Sequence, residues 1–122
     1  PGQLFGVNRA SVKTIPRLFA RNERVISLFD TSAGSMALIK VGAIFVSSIE
    51  TVWHGEVTPP RSKMVQQWHY EGAETLQKAQ EMGRFNMGST VILLFEKGKI
   101  NWNPELVANS PVKLGELLGE IN

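Results

Sequence analysis

A mainly β chain, folded as a compact sandwich or barrel, is what this sequence predicts. Short runs rich in Val, Ile, Phe and Trp recur along its 122 residues, with Gly, Pro, Asn or Ser between them. Short strands at such spacing favour a small closed or stacked β architecture. Only residues 72–81 break the pattern enough to read as one short helical or loop excursion.

Taken in order, the first 24 residues are the most basic part of the chain. Arg9, Lys13, Arg17, Arg21 and Arg24 stand there against Glu23 alone. That charge could attract anionic headgroups at a bilayer surface, although an ordinary solvated face has the same composition. Pro16 interrupts any helical spacing. Leu4, Phe5, Leu18 and Phe19 would accompany the cations at a membrane or else enter the core. Strand candidates follow at 24–30, 36–41, 43–50, 51–54, 65–70, 90–95 and 100–102, and Pro59-Pro60 marks a turn. Near the end, Val112-Lys113-Leu114-Gly115-Glu116-Leu117-Leu118-Gly119 looks like the strand-and-turn element that precedes a return strand in biotinyl-lipoyl-like folds. No repeat, low-complexity tract or internal domain boundary is evident.

Composition narrows the function. At 43% hydrophobic the chain can bury a single core. Thirteen Lys and Arg against eleven Asp and Glu leave a formal charge of +2, which is not a nucleic-acid-binding signature. The absence of Cys excludes disulfides and thiolate metal sites, and no other spacing suggests a metal. No apolar run is long enough to span a bilayer as a helix and no secretory signal is present, so membrane association is expected to be peripheral or to come from elsewhere in the protein.

The most informative residues are Met87-Gly88-Ser89-Thr90. They lie between Gly83-Arg84-Phe85-Asn86 and the apolar run Val91-Ile92-Leu93-Leu94-Phe95, so a Gly-Ser bond sits at the mouth of a strand. Such a bond can generate a pyruvoyl group. The Ser89 hydroxyl attacks the Gly88 carbonyl, exchanging peptide for ester, and β-elimination then leaves a dehydroalanine that becomes the pyruvoyl. Gly88, having no Cβ, lets the backbone twist and the hydroxyl approach. The resulting ketone can take up a substrate amine and act as an electron sink during decarboxylation. By itself a Gly-Ser pair is equally compatible with a polar strand-entry turn.

The surrounding residues decide between these. The segment Lys78-Ala79-Gln80-Glu81-Met82-Gly83-Arg84-Phe85-Asn86-Met87-Gly88-Ser89-Thr90-Val91 resembles the cleavage-site region of phosphatidylserine decarboxylases of the bacterial and mitochondrial type. Pro1-Gly2-Gln3-Leu4-Phe5-Gly6-Val7-Asn8, Leu18-Phe19-Ala20-Arg21-Asn22-Glu23-Arg24-Val25, Val41-Gly42-Ala43 and Ser48-Ile49-Glu50-Thr51-Val52-Trp53 agree in the same order. The family usually has Leu where Met87 stands, a swap that conserves volume, and often Gly where Ser47 stands. The resemblance implies decarboxylation of phosphatidylserine to phosphatidylethanolamine, with Ser89 first the self-cleavage nucleophile and then, as the covalent pyruvoyl cofactor, the electrophile. It also implies peripheral association with the bacterial cytoplasmic membrane or the mitochondrial inner membrane. In the family an Asp of a Pro-Ala-Asp-Gly motif and a His activate the serine, and neither motif is matched here. The chain is therefore expected to be the C-terminal part of a proenzyme, with 1–88 the rear of its β chain, 89–122 the start of its α chain, and the upstream half as partner.

Weaker candidates remain. Gly2, Leu4, Phe5, Val7 and Asn8 are expected either to wall a substrate pocket, the glycine permitting close approach and the apolar residues meeting acyl chains, or to form a structural turn into the core. His54 and His69 are expected to be structural, and Asp30 and Glu50 read as isolated carboxylates. Two other functions stay open: a pyruvoyl decarboxylase of a soluble amino acid, and a non-enzymatic biotinyl-lipoyl-like module. For the latter the nearest carrier lysines, in Lys97-Gly98-Lys99, lack suitable flanks.

Overall fold

The computed structural model describes residues 1–46, 48–72, 75–88 and 90–122. Along the chain come α1 (Arg9–Thr14), α2 (Leu18–Arg21), β1 (Arg24–Thr31), β2 (Gly34–Val41), β3 (Ile49–Thr51), β4 (Gly55–Thr58), β5 (Gly83–Phe85), β6 (Thr90–Phe95), β7 (Ile100–Trp102) and β8 (Gly119–Ile121). The sheets have the orders β1-β2-β6, β4-β3-β5 and β7-β8. The mainly β expectation holds, with small sheets and two short helices. Two compact units are formed, one of Pro1–Ile26 with Ile39–Ile92 and one of Ser27–Leu38 with Leu93–Asn122.

In the first unit, buried Ala43, Val46 and Ile49 form a core against which Val7, Val25 and Phe85 pack. A second organising centre is polar. Asn22 is fully buried, and its side chain accepts from Phe5 N at 3.0 Å while donating to Phe5 O at 2.8 Å and Gly42 O at 2.9 Å. Backbone bonds from Gln3 N to Arg21 O and from Glu23 N to Gln3 O, both 2.8 Å, zip the amino-terminal segment beside it. Gly2 has to be glycine for this approach, since a Cβ there would lie 2.5 Å from Arg21 O. Nearby, buried Glu23 accepts from Thr58 Oγ1 at 3.1 Å and pairs with Arg61 Nε at 3.4 Å.

Pro16 does separate helical segments, as its ring requires. Ile15, the residue before it, is extended at φ −97° and ψ 111°, and α2 starts two residues after the proline. The helices themselves depart from expectation, which placed the excursion at 72–81. There the described residues hold a turn instead, with Gln80 N bonded to Gln77 O at 3.0 Å and Ala79 at φ 67°. The loop alternative for that stretch is the observed one.

Strands 24–30, 36–41, 90–95 and 100–102 are found within two residues of their expected bounds. Others are corrected. Among the described residues of 43–50 only Ile49 and Glu50 are in a strand, Val46 N turning back to Ala43 O at 2.9 Å. Residues 52–54 form a turn in which Thr51 Oγ1 accepts from His54 N at 3.2 Å, and β4 begins only at Gly55, whose φ of +77° suits glycine. Residues 65–70 are no strand, and Val65 is 82% exposed, so their apolar side chains line no buried face.

In the second unit, a tight turn joins β1 to β2, with Thr31 Oγ1 donating to Gly34 O at 2.7 Å and accepting from Ala33 N at 3.1 Å. Glu96 Oε1 accepts from Ser35 N at 2.7 Å. Phe95 packs on Trp102 with ring centroids 5.7 Å apart. β7 and β8 pair antiparallel with Ile100 opposite Ile121 and Trp102 opposite Gly119. Residues 112–118 make a turn, with Glu116 N bonded to Lys113 O at 3.1 Å, so the turn of the expected element and the return strand after it, β8, are present and its first strand is not.

Candidate functional site

The approach to the Gly88-Ser89 bond is built on β3. Antiparallel pairing sets Ile49 opposite Phe85, Glu50 opposite Arg84 and Thr51 opposite Gly83. Phe85 turns toward the core while Arg84 and Asn86, two residues apart, share the other face. Gly83 makes the pairing possible. A Cβ on it would lie 2.1 Å from Lys40 Nζ and 2.2 Å from Glu50 O, closer than any side chain tolerates.

Glu50 ties this face together. Its Oε2 pairs with Arg84 Nε at 3.2 Å, and its Oε1 accepts from Asn86 Nδ2 at 3.2 Å. Arg84 Nε is also 3.3 Å from Glu81 Oε1. Asn86 is held further by β3, its backbone N–H donating to Ser48 O at 3.2 Å and its Nδ2 to the Ser48 hydroxyl. The amide orientation follows from chemistry, since a carboxylate can only accept. Beneath the pair runs Lys40, 2% exposed, whose Nζ donates to Glu50 O at 2.6 Å. Burial lowers its pKa from 10.5 to about 8, against the opposing pull of Glu81 and Glu50.

Met87 and Gly88 are exposed beyond this clamp, and β6 begins at Thr90. Among the described residues, nothing lies within 4 Å of a Cβ built on Gly88 apart from its chain neighbours. Packing among the described residues therefore does not demand glycine there. Ser89 lies outside the described residues, as does Ser47.

The other sequence candidates fall elsewhere in this unit. Gly2 and Phe5 belong to the Asn22 centre, and the Arg21 guanidinium stands 4.8 Å from the Phe5 ring centroid. Leu4 borders Gly42, Val7 packs on the core, and Asn8 caps α1 by accepting from Ser11 N at 2.9 Å. Each takes part in a structural contact of the amino-terminal segment. His54 stacks on Trp68 with centroids 4.5 Å apart and bonds the Tyr70 hydroxyl through Nδ1, while His69 Nε2 is 3.1 Å from Gln67 Nε2.

Sequence reasoning missed Lys40, Arg84 and Asn86, and took Glu50 as isolated. The available signal was the i, i+2 spacing of Ser48 with Glu50 and of Arg84 with Asn86, which puts each pair on one face of a strand. It becomes a constellation only once the two strands are placed in register.

Comparison with known proteins bears on what this clamp serves. The family model for phosphatidylserine decarboxylase matches residues 1–120. A phosphatidylserine decarboxylase proenzyme of Methylococcus capsulatus is 58% identical over 120 residues, covering 98% of this chain and 42% of that protein. Proenzymes of the same name from Yersinia enterocolitica and Yersinia pestis are 54% identical over 125 residues, covering 98% of the chain and 43% of each. The chain thus spans about two fifths of the length of these curated relatives. With the match running from the amino-terminal segment through the Gly88-Ser89 region to β8, the chain belongs to the phosphatidylserine decarboxylase family.

Proposed function

We propose that this chain is the C-terminal part of a self-processing, pyruvoyl-dependent decarboxylase that converts phosphatidylserine to phosphatidylethanolamine and carbon dioxide. The observation that carries the reading is the position of Gly88-Ser89 in a family member: an exposed Gly88 two residues beyond a clamped Asn86 and two residues before the start of β6. Gly88 is thus accessible, and the residues before it are held.

Ser89 Oγ attacks the Gly88 carbonyl carbon, and the peptide C–N bond breaks, leaving an ester and a free amine at residue 89. Loss of the residue 89 Cα proton to a base then breaks the Cβ–Oγ bond and frees the Gly88 carboxylate. Water converts the remaining dehydroalanine to a pyruvoyl group with release of ammonia. When formed, that group supplies a ketone able to take up the substrate amine and accept the electrons of the bond to the departing carboxylate. The family resemblance assigns activation of the serine to an Asp and a His with no counterpart in residues 1–122, so the upstream half of the proenzyme is the partner.

No helix among the described residues is long and apolar enough to cross a membrane. The proposed location is a peripheral one, at the bacterial cytoplasmic membrane. Mass spectrometry of the mature full-length protein, with carbonyl-reagent trapping, tests the cleavage; a free serine amino terminus at residue 89, or no cleavage in an active preparation, refutes it. Comparing decarboxylation of phosphatidylserine in vesicles with that of soluble amino acids tests the substrate class.

A further inference from the structure

We infer that Glu50 is a positioning residue for cleavage of the Gly88-Ser89 bond, acting through Asn86 and Arg84 to fix the segment that delivers Gly88. The inference rests on the self-cleavage reading above but does not follow from it. A strand entering a reactive bond could be held by backbone pairing alone. Here the pairing of β5 with β3 runs through Phe85 opposite Ile49 and one further backbone bond from Asn86 N to Ser48 O at 3.2 Å, and side chains hold Asn86 as well. Both amide hydrogens of Asn86 are used, one on the Ser48 hydroxyl and one on Glu50 Oε1 at 3.2 Å. Both Glu50 carboxylate oxygens are used too, the second on Arg84 Nε at 3.2 Å. Lys40 fixes the Glu50 backbone from below at 2.6 Å.

The geometry suits orientation rather than proton transfer. Both oxygens of the carboxylate are already engaged, one by a guanidinium and one by an amide. What it provides is direction. Asn86 cannot rotate without leaving the Glu50 charge short of a donor, and Gly88 follows two residues later. Attack on a carbonyl depends steeply on alignment, so a loosened approach slows it even where the fold survives.

The test uses the full-length proenzyme and follows cleavage by gel and intact mass. Glu50→Gln keeps the shape but turns one acceptor into a donor facing either Arg84 or Asn86. It is expected to slow cleavage about tenfold, the effect of losing one charge-assisted hydrogen bond. Asn86→Asp supplies the readout that a merely structural role would not move. Its new carboxylate would face Glu50 in surroundings that also hold Arg84 and Glu81 from the β5 side, Glu56 opposite Glu50 on β4, and Lys40 on β2. Two carboxylates at that distance share a proton as pH falls. Cleavage relative to wild type is therefore expected to be slow near neutral pH and to recover by at least about fivefold on acidification toward pH 5.

Melting of the same substitutions in a Ser89→Ala background, where no cleavage intervenes, is expected to change little. If wild type is cut after Gly88 and both variants match it across pH, the role of Glu50 is refuted while the self-cleavage reading stands. If Asn86→Asp is slow at every pH and its melting falls with it, general destabilisation explains the result and the inference is also overturned. A wild-type proenzyme that is active but uncut at this bond overturns the reading and the inference together.

Discussion

Lys40 carries an ammonium at 2% exposure, and its removal should stabilise the protein at neutral pH. Burial lowers its pKa from 10.5 to about 8. The sign follows from linkage. Below pH 8 both folded and unfolded chains hold the proton, and the folded state bears the full cost of the buried charge. Between about 8 and 10.5 the unfolded chain holds more protons, so stability rises with pH, by up to about 1.4 kcal/mol per unit. Over that window the gain is about 3 kcal/mol. Lys40→Met keeps the stem and removes the titration, but it also removes the bond to Glu50 O, worth about 1 kcal/mol for a neutral amine. The variant should be more stable than wild type by about 2 kcal/mol at pH 7 and less stable by about 1 kcal/mol above pH 10.5. Denaturant unfolding followed by Trp fluorescence, in the uncleavable Ser89→Ala proenzyme, gives the difference at each pH and cancels the titration of other groups. A pH-independent difference between the two proteins would refute the reasoning.

Gly83→Ala should separate β5 from β3, since its Cβ would overlap Lys40 Nζ and Glu50 O; about 3 kcal/mol or more of destabilisation and loss of cleavage are expected, read by melting and by gel. Asn22→Ala should cost about 3 to 5 kcal/mol by leaving Phe5 N, Phe5 O and Gly42 O without their buried partner, and Asn22→Leu should not rescue it, as thermal melts would show. Ser89→Ala should remain uncut and inactive with an unchanged melting curve, whereas Ser89→Cys should be cut slowly, a thiol being able to undertake the same acyl shift. The 122-residue chain expressed alone should stay uncut, and spontaneous cleavage after residue 88 with decarboxylase activity would show that its own groups suffice.

The strands that could be read from sequence are those whose signals are local. β1, β2, β6 and β7 are β-branched or aromatic runs with turn residues at their ends, and these properties do not depend on what packs nearby. The stretch 43–58 misled because its composition is uniformly strand-like. Its breaks are set by Val46 turning to Ala43, by the Thr51 hydroxyl and by the φ of Gly55. The helices escaped for the opposite reason. α1 buries no residue, so it has no apolar periodicity to detect, and its cue is the single capping contact of Asn8 with Ser11.

The candidate site divides along the same line. Gly88 and Ser89 are adjacent, so the chemistry proposed for their bond can be read from a string of letters, and the family match covers the segment that holds them. Glu50 and Asn86 are 36 positions apart. Their meeting depends on β5, three residues long, finding β3 in one register, and on Gly83 letting it approach. A slip of one residue would send Arg84 and Asn86 to the core and Phe85 to solvent. The apolar demand of Phe85 against Ile49 therefore fixes the register that assembles the polar clamp. Core packing and the polar clamp two residues before Gly88 are thus coupled through one side chain. A substitution such as Phe85→Ala should accordingly slow cleavage although it touches none of the polar groups, because it removes the preference that holds them in place.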